Sequence, residues 1–116
     1  MATGSIKTNG LVKTVDLFST VRSVYSALIN EGVITYKEYG DGTCIIDFQI
    51  KTSSAISSGS VSLPSSVKTP TFNVHGALAT NSNVTGWAQV GNGALFLRCG
   101  QSNAGNYMCG QIVYKP

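Results

Sequence analysis

The feature that most constrains the fold is a period-two alternation of apolar and polar residues, which starts at Val33 and is broken at short intervals by turn residues. Such alternation is typical of strands that bury one face and expose the other. It is clearest over residues 43–51, where one face is apolar and consists of Cys44, Ile46, Phe48 and Ile50. Asp41 and Gly42 precede this stretch and favour the positive backbone angles of a tight turn. The sequence therefore predicts a hairpin over residues 33–51.

Similar stretches follow at roughly regular spacing, and together they predict an all-β domain. Ser, Thr, Asn and Gly make up 46 of the 116 residues, and these types favour turns and strands over helices. Short strands are predicted at residues 59–63, 71–79, 84–90, 94–99 and 107–114, the last two as a hairpin. Seven or eight short strands of this kind are typical of an antiparallel β-sandwich or jelly roll.

Upstream of the strands the apolar period changes to that of a helix. Four apolar residues are spaced four, three and four positions apart: Leu17, Val21, Val24 and Leu28. This spacing predicts one amphipathic helix within residues 14–32, after a flexible lead-in over residues 1–13 and before a β-sandwich head domain over residues 33–116. A helix this short is marginal alone. Its apolar stripe must therefore pack either on the chain's own β domain or against identical helices in an oligomer stem.

The charge pattern argues against two classes of partner. Charged residues make up only 11% of the chain, and the formal net charge is +3. The basic residues are scattered, whereas nucleic-acid-binding proteins usually cluster them. No run approaches the roughly 18 apolar residues of a membrane span, and residues 1–10 lack the apolar core of a signal peptide. The sequence thus predicts a protein that folds in a cytoplasm and binds neither nucleic acid nor membrane.

The three cysteines, Cys44, Cys99 and Cys109, cannot all pair within one chain. Reduced and buried thiols are therefore the expectation. A Cys99–Cys109 bridge across the predicted last hairpin stays open as an alternative. The cysteines lack the close spacing of a zinc site, so no metal is predicted.

Few side chains are available for catalysis. His75 is the only histidine, and all five carboxylates precede residue 48. Of these carboxylates, only Glu38 and Asp47 are predicted on neighbouring strands. Glycosidases need two carboxylates on either side of a cleft, but these two are expected to be a solvated pair on the surface. The sequence contains neither a nucleophile elbow nor a phosphate-binding loop. It therefore predicts a protein that is not an enzyme and needs no cofactor.

Binding chemistry is easier to support. Trp87 is the only tryptophan and alternates to the same strand face as the polar Thr85 and Gln89. An indole in this position stacks on a sugar ring or lies in a subunit interface; the alternative is that it covers the edge of the core. Neutral Asn and Tyr side chains near the last predicted loop suit sugar hydroxyls. The candidate ligand-binding residues are Trp87, Tyr107, His75, Arg98 and Asn103.

Two short motifs resemble those of a known family. The first is Y-K-E-Y-G-D-G-T-C at residues 36–44, followed by the alternating strand; the second combines S-L-P at 62–64 with T-P-T-F-N-V at 69–74. In order and spacing over residues 33–116, they resemble the small β-sandwich head domains of bacteriophage receptor-binding, tail and fibre proteins. That family often has Trp where this chain has Tyr36.

The resemblance implies a head domain of a virion protein: a homotrimer on a short stem that binds saccharide on the host cell surface. Residues 14–31 would then be a remnant of the stem. No ligand residue is carried over, because the saccharide sites vary between members. The leading hypothesis is a non-catalytic virion adhesion module that is made in the host cytoplasm and contacts other virion structural proteins. The alternatives are a purely structural virion part (a head fibre, baseplate or capsid-decoration knob) and a monomeric carbohydrate-binding module.

Overall fold

The computed structural model describes residues 10–26, 28–80, 84–101 and 107–116. These residues form eight strands and one short helix, α1. In chain order the elements are β1 (Leu11–Asp16), α1 (Phe18–Val24), β2 (Ile29–Tyr39), β3 (Cys44–Thr52), β4 (Val61–Ser62), β5 (Val74–Ala79), β6 (Thr85–Gly91), β7 (Ala94–Cys99) and β8 (Met108–Tyr114).

All eight strands belong to one curled sheet in the order β1-β2-β3-β8-β5-β6-β7-β4. Every neighbouring pair is antiparallel. The prediction of an antiparallel all-β chain with one N-terminal helix is confirmed. The sandwich or jelly-roll arrangement is not confirmed, because hydrogen bonding joins the described strands into a single sheet.

The core lies on the inner face of the curl, where alternate residues of the strands meet α1. The largest fully buried side chains are Tyr36, Leu17, Ile29, Ile34, Ile46, Ile50, Leu78, Leu95, Leu97, Met108, Ile112 and Val21. Most are aliphatic and come from β2, β3, β7 and β8. Burial of this apolar surface is the main favourable term in folding. The period-two pattern in the sequence therefore marks the inner face correctly.

The predicted hairpin over residues 33–51 is confirmed as β2 and β3. At its turn, Gly42 has a φ of 92°, which side chains larger than hydrogen rarely tolerate. The Thr43 amide donates to Asp41 Oδ1 at 3.0 Å, and the Gly42 amide donates to the Tyr39 carbonyl at 3.0 Å. Local turn chemistry thus sets the register of the longest pair of strands.

The predicted boundaries at the N-terminal side are wrong. Residues 11–16 form strand β1 rather than the end of a flexible lead-in and a helix start, the helix covers only 18–24, and β2 begins at Ile29. Residues 1–9 of the predicted lead-in lie outside the described residues. The reason is tertiary: β1 pairs with β2, with Val15 opposite Tyr36, and this pairing overrides a weak local helix preference. No helix among the described residues has the length and apolar character needed to cross a membrane.

The predicted helical stripe divides between the core and the surface. Leu17 and Val21 are fully buried against the chain's own sheet, and Tyr25 is 3% exposed, whereas Val24 is 46% exposed. Leu28 is half-buried. Side chains covered by their own chain cannot at the same time line an oligomer stem. Leu17 and Val21 therefore pack on the chain's own β domain, which was the first of the two alternatives. Association of the chain into an oligomer stays a prediction.

The predicted last hairpin is wrong, because β7 and β8 are not neighbours. β7 pairs with β6, and β8 lies between β3 and β5. Cys99 consequently faces the core while Cys109 is exposed on the opposite face of the sheet. All three cysteines are free thiols.

This placement predicts selective thiol labelling. In the folded protein at pH 8, iodoacetamide is expected to modify Cys109 alone, because Cys44 and Cys99 are buried and burial raises the pKa of the Cys99 thiol to about 11. Intact mass before and after unfolding in urea checks this, with one adduct expected in the native protein and three in the unfolded one. Two adducts on the folded chain would contradict the placement of these thiols.

Residues 63–70 cross the end of the sheet and are held there by a polar network, here called the Tyr36 clamp. The Tyr36 hydroxyl donates to Glu38 Oε1 at 2.8 Å and accepts from the Lys68 amide at 3.3 Å. The Tyr114 hydroxyl donates to the Lys68 carbonyl at 2.7 Å. Glu38 Oε2 lies 3.1 Å from Lys68 Nζ, and the hydrogen bond from Tyr36, followed by Lys68, lowers the pKa of this carboxyl. The clamp fixes a long connection that lacks strand pairing over most of its length.

Candidate functional site

The solvent-facing side of the sheet, called the outer face, carries the residues that alternate with the core. Antiparallel register brings β5, β6 and β7 side by side, so that Ala77 lies opposite Trp87 and Trp87 opposite Arg98. Because side chains at paired positions project to the same face, residues from three strands meet on a small area. The short turn at Asn92 and Gly93 sets the pairing of β6 with β7.

An aromatic cluster occupies this area. The His75 and Trp87 rings meet edge to face, with centroids 5.4 Å apart and an interplanar angle of 62°. Trp87 is 41% exposed, so part of the indole remains open to solvent. Gln89 is paired with both His75 and Phe96 across the strands. His75, Trp87, Gln89, Phe96 and Arg98 are here called the Trp87 patch.

Arg98 is held firmly within the patch. One of its terminal nitrogens, Nη1, donates to the Leu97 carbonyl at 2.8 Å and to the Gly59 carbonyl at 2.9 Å. Its guanidinium carbon lies 5.7 Å from the centroid of the Phe96 ring, within the range of a cation–π contact. These contacts hold the guanidinium of Arg98, the residue that is paired with Trp87 on the neighbouring strand.

Tyr107 lies elsewhere on the outer face. The Lys51 ammonium stands 4.5 Å from the centroid of the Tyr107 ring and forms an ion pair with Glu31 at 2.9 Å. The hydrogen bond between the two charged groups lowers the pKa of Glu31 and raises that of Lys51. Of the five predicted ligand-binding residues, the structure brings together His75, Trp87 and Arg98; Tyr107 lies apart, and Asn103 lies outside the described residues.

A shallow groove of about 560 Å³ crosses the outer face over β2, β3 and β8. Its lining includes Val33, Thr35, Gln49 and Gln111, and an ion pair between Lys37 and Asp47 at 3.2 Å lies within it. Asp47 and Gln49 alternate with the apolar residues of β3, so the sequence already indicates that their side chains lie on the outer face. Sequence reasoning nevertheless missed the groove, because no local pattern places β8 beside β3.

The carboxylates are engaged in local structural contacts. Asp16 accepts from the Phe18 amide at 3.0 Å, and Asp41 accepts from the Thr43 amide at 3.0 Å. The other three are partners of lysines: Glu31, Glu38 and Asp47. Among the described residues, no three His, Cys, Asp or Glu side chains are grouped closely enough to hold a metal ion. The expectation that the chain is not an enzyme stays a prediction.

No family model, curated protein or solved structure matches this chain. The resemblance to phage head domains therefore rests on the two short motifs at residues 36–44 and 62–74, and it enters below only as support for a proposal.

Proposed function

We propose that this chain is a non-catalytic adhesion module of a bacteriophage virion that binds carbohydrate on the host cell surface through the Trp87 patch. The observation that carries the proposal is the half-exposed Trp87 ring, which is braced edge-on by His75 at 5.4 Å. An indole fixed in this way presents a flat apolar surface to the C–H face of a sugar ring. The short motifs shared with phage head domains supply the biological setting.

The surroundings of Trp87 suit a sugar. Gln89 lies two positions from Trp87 on the same strand and Arg98 lies opposite Trp87 on the neighbouring strand, and both supply hydrogen-bonding groups for hydroxyls. Arg98 is already oriented by two backbone carbonyls, so little side-chain freedom is lost when a ligand binds. A saccharide needs a few polar groups in fixed positions around an apolar contact, and the patch provides that combination.

Weak single-site binding would be raised by association of the chain into a homotrimer. One flat patch on a sheet offers limited contact area, and three patches on one particle gain roughly 10²–10⁴-fold in avidity when all reach the same surface. The proposal therefore includes two kinds of partner for the chain: identical chains in a homotrimer, and other structural proteins of the virion.

Replacing Trp87 by Ala tests the site. Binding to the best ligand on an array of bacterial surface polysaccharides is expected to weaken about 30-fold or more, because truncation of a central aromatic contact typically costs more than about 2 kcal/mol. The matched control is Phe72→Ala, which removes an 84% exposed aromatic side chain outside the patch and is expected to leave binding unchanged. Equal binding by Trp87→Ala and the wild type would reject the patch as the ligand site.

A purely structural virion role is the second candidate, and one observation favours it. Val33 and Val113 are 54% and 49% exposed on the outer face, where contact with another subunit would cover them. Mass measurement in solution and binding to intact bacteria separate the two roles. An oligomer that binds neither cells nor polysaccharide would support the structural role.

A further inference from the structure

We propose that a hollow beside α1 binds an acidic saccharide unit, with Arg22 pairing with the carboxylate of that unit. The inference rests on the proposed function in taking the ligand to be a saccharide, and it adds that the ligand carries negative charge. The hollow lies apart from the Trp87 patch and has a volume of about 470 Å³, which falls in the range of small-ligand sites. We call it the Arg22 hollow; its lining includes Phe18, Arg22, Asn30, Glu31, Gln49 and Tyr107.

The shape of the hollow follows from two elements. α1 packs on β2, where the Leu17 amide donates to the Ile34 carbonyl at 2.8 Å, and it supplies Phe18 and Arg22, which are four positions apart and so share one side of the helix. Tyr107, just before β8, supplies an aromatic side chain from the sheet. The hollow thus offers two aromatic rings for the apolar side of a sugar, and the amides of Asn30 and Gln49 for its hydroxyls.

Arg22 is positioned to receive an anion. Its Nε donates to the Ile29 carbonyl at 3.1 Å, which fixes the plane of the guanidinium. Arg22 is among the residues that line the hollow, and within the described residues its terminal nitrogens neither donate a hydrogen bond nor form an ion pair with a carboxylate. A guanidinium held by Nε retains its terminal donors for a planar carboxylate.

The other charges around the hollow balance each other. Glu31 and Lys51 are paired at 2.9 Å, and the Lys51 ammonium also lies over the Tyr107 ring. Since Lys51 neutralises Glu31, the Arg22 guanidinium is the charge at the hollow that has no ionic partner among the described residues. A neutral sugar would gain nothing from that charge, whereas a uronic acid unit would gain a charge-assisted hydrogen bond.

Titration of the full chain with sodium glucuronate, glucose and glucose 6-phosphate, followed by ¹H–¹⁵N amide spectra, tests the inference. Glucuronate is expected to shift the amides of Arg22 and Asn30 and to bind at least about tenfold more tightly than glucose, as one charge-assisted hydrogen bond implies. Raising the salt concentration is expected to weaken glucuronate binding alone. Equal binding of glucose and glucuronate would overturn the proposal, and tighter binding of glucose 6-phosphate would overturn the carboxylate in favour of phosphate.

Substitutions test whether Arg22 causes the preference for glucuronate over glucose. Arg22→Gln is expected to remove the tenfold preference, whereas Lys115→Gln, which deletes an exposed cation elsewhere, is expected to retain it. Because Arg22→Gln also loses the contact with Ile29, Tyr107→Ala serves as a second variant that leaves that contact in place. It is expected to weaken glucose and glucuronate about equally by removing the ring. A preference that survives Arg22→Gln would overturn the assignment.

The experiments distinguish failure of the Arg22 hollow from failure of the proposed adhesion function. Polysaccharide binding that depends on Trp87 but is indifferent to Arg22 and to acidic units would reject the Arg22 hollow and keep the adhesion proposal. Glucuronate binding at the hollow, without any polysaccharide binding by the wild type, would reject the adhesion proposal and support an isolated acid site.

Discussion

Replacing Val21 by Asp is expected to unfold the chain or to lower its free energy of unfolding by about 4 kcal/mol or more, because it buries a charge without a partner. Val21 is fully buried between α1 and the sheet. The same substitution at Val24, three positions along the same helix and 46% exposed, is expected to change the free energy of unfolding by less than about 0.5 kcal/mol. Urea unfolding followed by circular dichroism measures both.

This pair of variants also separates packing on the sheet from packing in a stem. Val24→Asp should leave the mass in solution unchanged if the helix serves only its own domain. Loss of an oligomer in Val24→Asp, with monomer stability intact, would instead indicate that the exposed side of α1 contacts another copy. A stable, folded Val21→Asp protein would show that the helix is not part of the core.

Replacing Tyr36 by Phe is expected to lower the free energy of unfolding by about 2–3 kcal/mol, although it removes only one oxygen atom. That oxygen joins Glu38 on its own strand to the Lys68 amide of the crossing segment, so its loss removes a charge-assisted hydrogen bond to Glu38 and leaves the part-buried Lys68 amide without its acceptor. Tyr114→Phe removes a single hydrogen bond to the Lys68 carbonyl and should cost about 1 kcal/mol.

The control for the Tyr36 clamp is Tyr39→Phe at the end of β2, whose hydroxyl has no hydrogen bond among the described residues. Its free energy of unfolding should stay within about 0.5 kcal/mol of the wild type. Proteolysis gives a second measurement, since release of residues 63–70 in Tyr36→Phe should open a cleavage site there. An unchanged free energy of unfolding in Tyr36→Phe would mean that the clamp is not important for stability.

The sequence predicts those parts of this fold whose partners are close along the chain. The β2–β3 hairpin follows from alternation on both sides of the Asp41-Gly42 turn. β1 was missed because its partner residues, such as Tyr36, lie about twenty positions away. The pairing of β1 with β2, which are distant in sequence, overrides the local apolar spacing that favours a helix over residues 14–16.

The candidate site likewise has residues whose positions could be predicted from the sequence and one, Tyr107, whose position could not. Alternation correctly places Trp87 on the polar face of its strand, but it leaves the face of residues 94–99, and with it that of Arg98, open. The pairing of β5, β6 and β7 brings His75, Trp87 and Arg98 together. Tyr107 was expected close to this group, because β8 was expected to pair with β7. It lies instead beside Lys51, since β8 crosses to the far side of β5. Nothing near Tyr107 in the sequence marks that crossing.

The position of β8 has a consequence for how the molecule is assembled during synthesis. β8 follows the other seven described strands along the chain, yet it lies in the interior of the sheet, between β3 and β5. Earlier strands can form two separate groups, β1–β2–β3 and β5–β6–β7, but each group then presents a bare edge until β8 arrives. The two groups are therefore joined into one sheet only after β8 has been synthesised, and a chain cut short before β8 lacks the strand that pairs with both of them.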